Sequence, residues 1–256
     1  MSDWRSPDGH PVDEAKAREM VKLLGRPSRE FLGSCCLPLY WWATNQPDEP
    51  VLGNGTVTLM KTPSRVIGLT ADHVIVGALE AFDGGNVVMQ LANTSAHDLR
   101  ARIIARSSSL DLASFSLDGL IDHGWTNHKP LEAWPPVVPQ EGQGIMIGGY
   151  PGNGREKVSR KGVSFGFFGA LVIARAVNHD QISCLFEREY LVESAAVPAM
   201  PPNYDLGGIS GGPVINVLES PHLVTYRLGG IVSEASSDLE LVLAKRADFI
   251  KDDGSF

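Results

Sequence analysis

The sequence predicts an all-β protein whose strands fall into two halves. From residue 35 onward, short runs rich in β-branched and aromatic residues alternate with turn residues, a pattern typical of a barrel or a sandwich. A proline-rich segment over residues 121–142 separates two such series, because proline cannot occupy a central strand. The length of 256 residues is enough for one large or two small domains.

A short helix is predicted ahead of the strands. Residues 13–24 combine helix formers with acidic residues in the first turn, and Gly25 and Pro27 follow as stop signals. We therefore assign residues 1–30 to an N-terminal helical extension. Its apolar side chains are expected to pack on the strands, with partner binding as the alternative.

The first half, residues 31–120, has five predicted strands, at residues 37–43, 55–60, 65–69, 87–91 and 101–105. The adjacent Cys35 and Cys36 are expected on opposite faces of the first strand, with one packed inside; a redox-active or metal-binding pair is the alternative. With Cys184 they make only three cysteines, too few for a disulfide framework, which favours a reducing compartment.

Residues 121–142 are predicted to link the halves, and residues 143–256 to form the second. Its strands are predicted at residues 144–147, 157–168, 170–175, 181–186, 213–217, 226–232 and 239–243.

Composition limits the possible functions. With 43% hydrophobic and 20% charged residues, the chain is typical of a globular protein, and no apolar run reaches the roughly 20 residues of a membrane span. The first residues lack the basic and apolar regions of a secretory signal, so we expect a cytoplasmic location and no membrane partner. The net charge of −8, without any basic block, argues against nucleic-acid binding.

Three segments carry the residue types of nucleophilic catalysis. Ser210 lies in the glycine-rich run Gly-Ile-Ser-Gly-Gly-Pro (208–213), a turn that exposes a hydroxyl and directs the amides of Gly208 and Ser210 toward one point. His73 ends a strand-like run and is a candidate base, and Asp111 begins another and can orient an imidazole.

These segments, in the order His, Asp, Ser, resemble those of the trypsin-like (chymotrypsin-fold) serine peptidases. The matching motifs are Thr-Ala-Asp-His (70–73), Asp-Leu-Ala (111–113) and the serine run. Glycine motifs at 53–56, 147–151 and 229–232 are most similar to the bacterial high-temperature-requirement (HtrA) type, over residues 34–250. The chain ends at Phe256, so we expect only the catalytic half of that type, without its peptide-binding (PDZ) domain.

The resemblance implies two antiparallel six-stranded β-barrels with the active site between them. It implies a serine endopeptidase in which Ser210 attacks, His73 transfers the proton, Asp111 orients His73, and the amides of Gly208 and Ser210 form the oxyanion hole. No cofactor or metal is implied. Two segments would bind substrate, formed by Tyr204, Asp205, Leu206 and Gly207 and by Val232, Ser233 and Glu234.

Two positions depart from the family pattern. Ile209 stands where the digestive members have an aspartate that pairs with the new N-terminus formed when the zymogen is cut. Isoleucine cannot carry that charge, so we expect no zymogen activation of the trypsin type. Asp72 replaces a small residue beside the base, and we expect its side chain to point to solvent. If Asp72 faced the imidazole instead, it would raise the pKa of His73.

Within the possible pocket, Tyr204 would favour small apolar side chains of the substrate. Asp205 or Glu234, facing inward, would favour basic ones. Of the two, we expect the apolar preference.

Other functions fit less well. The Gly-x-Ser-x-Gly pattern at Ser210 also fits the nucleophile elbow of the α/β-hydrolases, which would make the protein an esterase or lipase. That fold requires a helix after the serine, whereas residues 213–217 predict a strand. Only His123 and His128 lie near one another among the histidines, and no metal motif accompanies them. The main alternative is a catalytically silent or partner-activated scaffold that binds proteins, with a separately encoded activator as its partner.

Overall fold

The computed structural model describes residues 25–43, 51–92, 94–95, 99–120, 127–159, 162–186, 204–220 and 223–256. Fifteen strands and few helices make up these residues, which confirms the predicted all-β class. Strands β1–β7 cover Cys36–Ala43, Val51–Lys61, Val66–Thr70, Val87–Leu91, Thr94–Ser95, Ile103–Ser107 and Leu112–Ser116. Strands β8–β15 cover Gly144–Gly149, Arg155–Ser159, Gly162–Phe165, Phe168–Val177, Gln181–Leu185, Pro213–Ser220, Leu223–Ser236 and Leu241–Arg246.

The first half forms a seven-stranded antiparallel sheet in the order β5-β4-β1-β2-β3-β7-β6. Glycine allows close packing in this sheet: a Cβ at Gly68 would meet the Phe115 ring, and one at Gly53 would overlap Trp41. Alternate residues of β1 and β2, among them Leu37, Leu39, Val57 and Leu59, are buried in its core.

The second half is a closed six-stranded barrel in the order β11-β12-β15-β14-β13-β8. Its core contains Ile147, Ile182, Ile209, Val214 and Val232, each fully buried. Strands β9 and β10 form a separate hairpin, where a single strand over residues 157–168 was predicted. The irregular stretch Gly166-Phe167 separates β10 from β11.

Helices α2 (Asp72–Asp83) and α3 (Leu99–Arg102) were not predicted. Helix α2 buries Val74, Ile75, Ala78 and Leu79, which share one face at helical spacing and pack on the core of the first sheet. The sequence analysis ended a strand-like run at His73 and assigned no element to the residues that follow it.

Residues 25–34 form helix α1 and run directly into β1. The helix includes Gly25 and Pro27, which were predicted as stop signals for an earlier helix. The segment predicted as helical, residues 13–24, lies outside the described residues. Leu32 of α1 is buried in a third core cluster that also contains Met60, Met146 and Ile231, from both halves of the molecule.

The two adjacent cysteines do not alternate on a strand as expected. Cys35 lies in the turn after α1, and both side chains are buried, with both thiols within hydrogen-bonding distance of the Leu32 carbonyl. Burial raises the pKa of Cys35 to about 12 and that of Cys36 well above its usual value.

Candidate active site

His73 is the second residue of α2, which begins at Asp72 directly after β3 and Ala71. Its Nδ1 is 2.9 Å from Oδ2 and 3.1 Å from Oδ1 of Asp111, and its backbone amide donates to the same carboxylate at 3.0 Å. A carboxylate accepts, so Nδ1 carries the proton and Nε2 is the free, basic nitrogen of the neutral ring. The side chain of His73 is 53% exposed, which leaves Nε2 accessible to a reacting group.

Asp111 ends the turn that connects β6 to β7. Its φ of +46° is unusual for a residue other than glycine, and aspartate tolerates that conformation better than most. Because the turn is fixed in this way, the carboxylate is directed back toward the amide and the ring of His73. The sequence motif identified the residue but not this backbone conformation.

The contact between His73 and Asp111 shifts both groups toward their charged forms. The hydrogen bond to Asp111 raises the pKa of His73, although partial burial opposes the change. Burial would raise the pKa of Asp111, but the hydrogen bonds from the ring and amide of His73 together hold it below its usual value. A carboxylate that stays ionised can stabilise an imidazolium as it forms.

Ser210 lies in a turn that requires glycine at two of its positions. Gly208 has φ of +103° and Gly211 has φ of +90°. A Cβ on Gly211 would overlap Thr56 O and Thr70 Oγ1, and one on Gly208 would overlap the side chain of Asn54. The turn is therefore pressed against strands β2 and β3, with its serine partly exposed.

Thr56 of β2 holds this turn, a role that the sequence analysis did not assign. Its amide donates to Ser210 O at 2.8 Å, and its hydroxyl donates to Gly208 O at 3.0 Å while accepting from Tyr150 N at 2.9 Å. The sequence signal was the Gly-Asn-Gly-Thr motif at 53–56, which was used only for the family resemblance.

The same part of β2 also contacts the histidine segment. A Cβ on Gly55 would overlap the side chain of Val74, the residue after His73, and Thr70 Oγ1 donates to Thr56 O at 2.7 Å. Strand β2 thus contacts the segments that carry His73 and Ser210, one from each half of the molecule.

The Ser210 hydroxyl donates to Ser233 O at 3.0 Å. Among the described residues, no hydrogen bond joins this hydroxyl to His73. The amides of Gly208 and Ser210 have no hydrogen-bond acceptor within the described protein. The turn therefore presents two unpaired donors beside a serine whose hydroxyl points to the backbone of β14.

Asp72 does not point to solvent as expected. It is buried, at 4% exposure, and its two carboxylate oxygens accept from Nε and Nη2 of Arg106 at 2.5 and 3.1 Å. The nearby guanidinium supplies the charge partner that a buried carboxylate needs, which explains why the side chain turns inward.

The predicted substrate-binding residues separate into buried and exposed groups. Leu206 and Val232 are buried in the barrel core, so their side chains cannot contact substrate. Asp205 is exposed, and its carboxylate accepts from the amide of Gly207 at 2.8 Å. Such a local turn explains its orientation without a role in recognition.

Tyr204 packs on the edge of the barrel core, partly buried, and burial raises the pKa of its hydroxyl. Ser233 is 9% exposed and donates through its hydroxyl to Leu243 O at 3.2 Å. Glu234 is exposed and close enough to His73 for its charge to favour the imidazolium. The structure thus brings Glu234 and the backbone of Ser233, but not Asp205, toward the histidine and serine.

No group of three or more histidine, cysteine, aspartate or glutamate side chains within the described ranges is arranged to hold a metal ion. No described helix is both long and apolar enough to cross a membrane.

The chain matches no protein-family model and no curated protein. Among solved structures it is similar to the crystal structure of the Rv3671c protease in its inactive form. The identity is 15% and the TM-score 0.47, over 88% of this chain and 89% of the other.

Proposed function

We propose that this protein is a serine endopeptidase that uses Ser210, His73 and Asp111 as a catalytic triad. The observation that carries the proposal is the contact of 2.9 Å between His73 Nδ1 and Asp111, which leaves Nε2 basic and exposed. The glycine turn that presents Ser210, with its free amides at Gly208 and Ser210, supplies the other parts of the site.

In the proposed reaction, Ser210 Oγ forms a bond to the carbonyl carbon of the scissile peptide as its proton passes to His73 Nε2. The resulting oxyanion accepts hydrogen bonds from the Gly208 and Ser210 amides, each worth about 3 kcal/mol in the transition state. The C–N bond then breaks, and His73 gives the proton to the leaving amine. Water, deprotonated by His73, releases the acyl group and restores Ser210.

The reaction requires one rearrangement. The Ser210 hydroxyl has to leave Ser233 O and turn toward His73 Nε2. A substrate strand that pairs with β14 would compete for the Ser233 carbonyl and favour this rotation.

The second candidate is a scaffold that is silent until a separately encoded partner activates it. The same Ser210–Ser233 hydrogen bond favours this function, because it keeps the hydroxyl away from the base. A protein or peptide is the ligand in both cases. The similarity to the HtrA catalytic half, the cytoplasmic location and the absence of nucleic-acid or membrane partners stay predictions.

Labelling with a fluorophosphonate tests the proposal, because the reagent reacts only with an activated serine. The protein should be labelled, and Ser210→Ala should abolish the labelling. Ser64→Ala, at an exposed serine in the turn between β2 and β3, should leave it unchanged. Labelling that persists in Ser210→Ala contradicts the assignment, whereas an unlabelled wild-type protein supports the silent scaffold.

A further inference from the structure

An ion pair with a buried carboxylate lies directly beside the contact between His73 and Asp111. Asp72, one residue before His73, is buried, and Arg106 donates two hydrogen bonds to it in a fork that uses both carboxylate oxygens. The side chain of Arg106 is 35% exposed, so the carboxylate is the buried member of the pair. Paired, planar geometry of this kind fixes orientation as well as charge.

The pair joins the two segments that carry the proposed base and its acid. Asp72 lies in the first turn of α2, and Arg106 lies in β6, five residues before Asp111. The ring and amide of His73 connect the same two segments through Asp111. Two contacts, Asp72–Arg106 and His73–Asp111, therefore hold the start of α2 against the end of β6 and the turn that follows it. Loosening either contact should move the groups that the other one joins.

Carboxylates dominate the charge around His73. Asp111 in the turn between β6 and β7, Asp72 in α2 and Glu234 in β14 each favour the protonated ring. Arg106 contacts one of these carboxylates and offsets its charge. Without the guanidinium, Asp72 would be a buried charge with no partner, next to the group that has to accept a proton.

We propose that Arg106 is a positioning residue: through Asp72 it fixes His73 against Asp111 and compensates a buried negative charge beside the base. The effect on rate rests on the proposed function, but the effect on the His73 ring does not. Arg106 acts only through Asp72 and takes no part in the chemistry.

The charge relation is tested on the ring itself, in a Ser210→Ala background that needs no activity. The titration of His73 is followed by NMR in the parent, Arg106→Gln, Asp72→Asn and the double variant, with the resonance assigned by His73→Gln. The midpoint should rise in Arg106→Gln, fall in Asp72→Asn, and return toward the parent in the double variant. Equal midpoints in all four proteins would overturn the proposal.

Rates test the positioning. With Ser210 intact, Arg106→Gln should lower kcat/KM on the order of 10-fold to 100-fold, mainly through kcat, because the base is misplaced. Arg106→Lys keeps the charge but loses the fork, so it should retain the titration midpoint and lose only part of the rate. If Arg106→Gln fails to fold, Arg106→Lys also provides a variant in which the buried Asp72 carboxylate keeps a cationic partner.

Arg100→Gln is the matched control. Arg100 also pairs with a carboxylate of α2: at the other end of the helix its Nη2 donates to both oxygens of Asp83 at 2.8 Å, but both side chains are exposed. Its loss should change neither the His73 midpoint nor kcat/KM. If no Ser210-dependent activity exists, the proposed function fails and the titration still decides the role of Arg106. Activity with unshifted midpoints refutes the role of Arg106 alone.

Discussion

Thr56 and Ser210, from opposite halves of the molecule, are joined by a backbone hydrogen bond of 2.8 Å. The hydroxyl of the same threonine bridges Gly208 O and Tyr150 N, so one β2 residue contacts the serine turn at both Gly208 and Ser210. Both bridged groups are backbone atoms that need a partner when water is excluded. The shape of the proposed oxyanion hole therefore depends on a side chain outside the triad.

Thr56→Val should weaken both the fold and the site. Valine has nearly the same shape but leaves Gly208 O and Tyr150 N unpaired, at about 1–3 kcal/mol for each buried group. Thr56→Ser keeps the hydroxyl and is the matched control, with a much smaller loss. Denaturant unfolding and the rate of fluorophosphonate labelling measure the two effects. A Thr56→Val protein with the stability and labelling rate of Thr56→Ser would refute the role of the hydroxyl.

Gly211→Ala should destabilise the protein strongly. The residue has φ of +90°, and its Cβ would overlap Thr56 O and Thr70 Oγ1, so backbone strain and a clash add. We expect a loss of about 4 kcal/mol or more, in the range of the most severe substitutions.

Gly142→Ala separates these two causes. Gly142 has φ of +82° but nothing within 4 Å of a Cβ, so it incurs only the conformational cost of roughly 1–2 kcal/mol. Unfolding midpoints of the two variants compare them directly. Equal losses of stability in the two variants would show that a Cβ at residue 211 meets no clash with β2.

Individual triad substitutions should have unequal effects. Because the three groups act together, Ser210→Ala or His73→Ala should each lower kcat by about 10⁶-fold in an efficient enzyme, and Asp111→Asn by about 10⁴-fold. Asparagine carries no negative charge, so it cannot stabilise the imidazolium as a carboxylate does. Peptide-library cleavage with the purified variants measures these rates and defines the residue preference. Undiminished cleavage by Ser210→Ala would assign the activity to another protein or residue.

The sequence was sufficient for the strand pattern and for the three chemical segments, because both are encoded locally. Strand β4 coincides with the predicted residues 87–91, and Asp111 was identified by its apolar neighbours. Helix α2 was missed because Val74 and Ile75 fit a strand as well as a helix, and only packing on the first sheet decides between them.

Long-range pairing explains the remaining differences. Asp72 was expected in solvent because it lies at a turn next to a strand end, but its partner Arg106 is 34 residues away in the chain. The direction of the Ser210 hydroxyl toward Ser233 depends likewise on a strand 23 residues further on. A sequence motif specifies which groups are present, whereas tertiary contacts decide which acceptor each group uses.

Catalysis should depend on pH through His73. The Asp111 hydrogen bond raises its pKa above the ordinary 6.5, so kcat/KM should rise through a midpoint above that value as the ring loses its proton. Asp111→Asn removes the cause, and the midpoint should move to lower pH. The same contact stabilises the fold most below the unfolded pKa of histidine, and this contribution is lost as pH rises through the folded value. An acidic limb that does not move in Asp111→Asn would contradict this account.

The three cysteines should be unreactive in the folded protein. Cys35, Cys36 and Cys184 are buried, and burial raises the pKa of Cys35 and of Cys184 to about 12. Only the thiolate attacks a disulfide reagent, and these thiols are both protonated and enclosed. An aromatic disulfide reagent should therefore release no chromophore from the native protein and close to three equivalents after denaturation. Rapid reaction of the native protein would instead favour the redox or metal-binding role considered for Cys35 and Cys36.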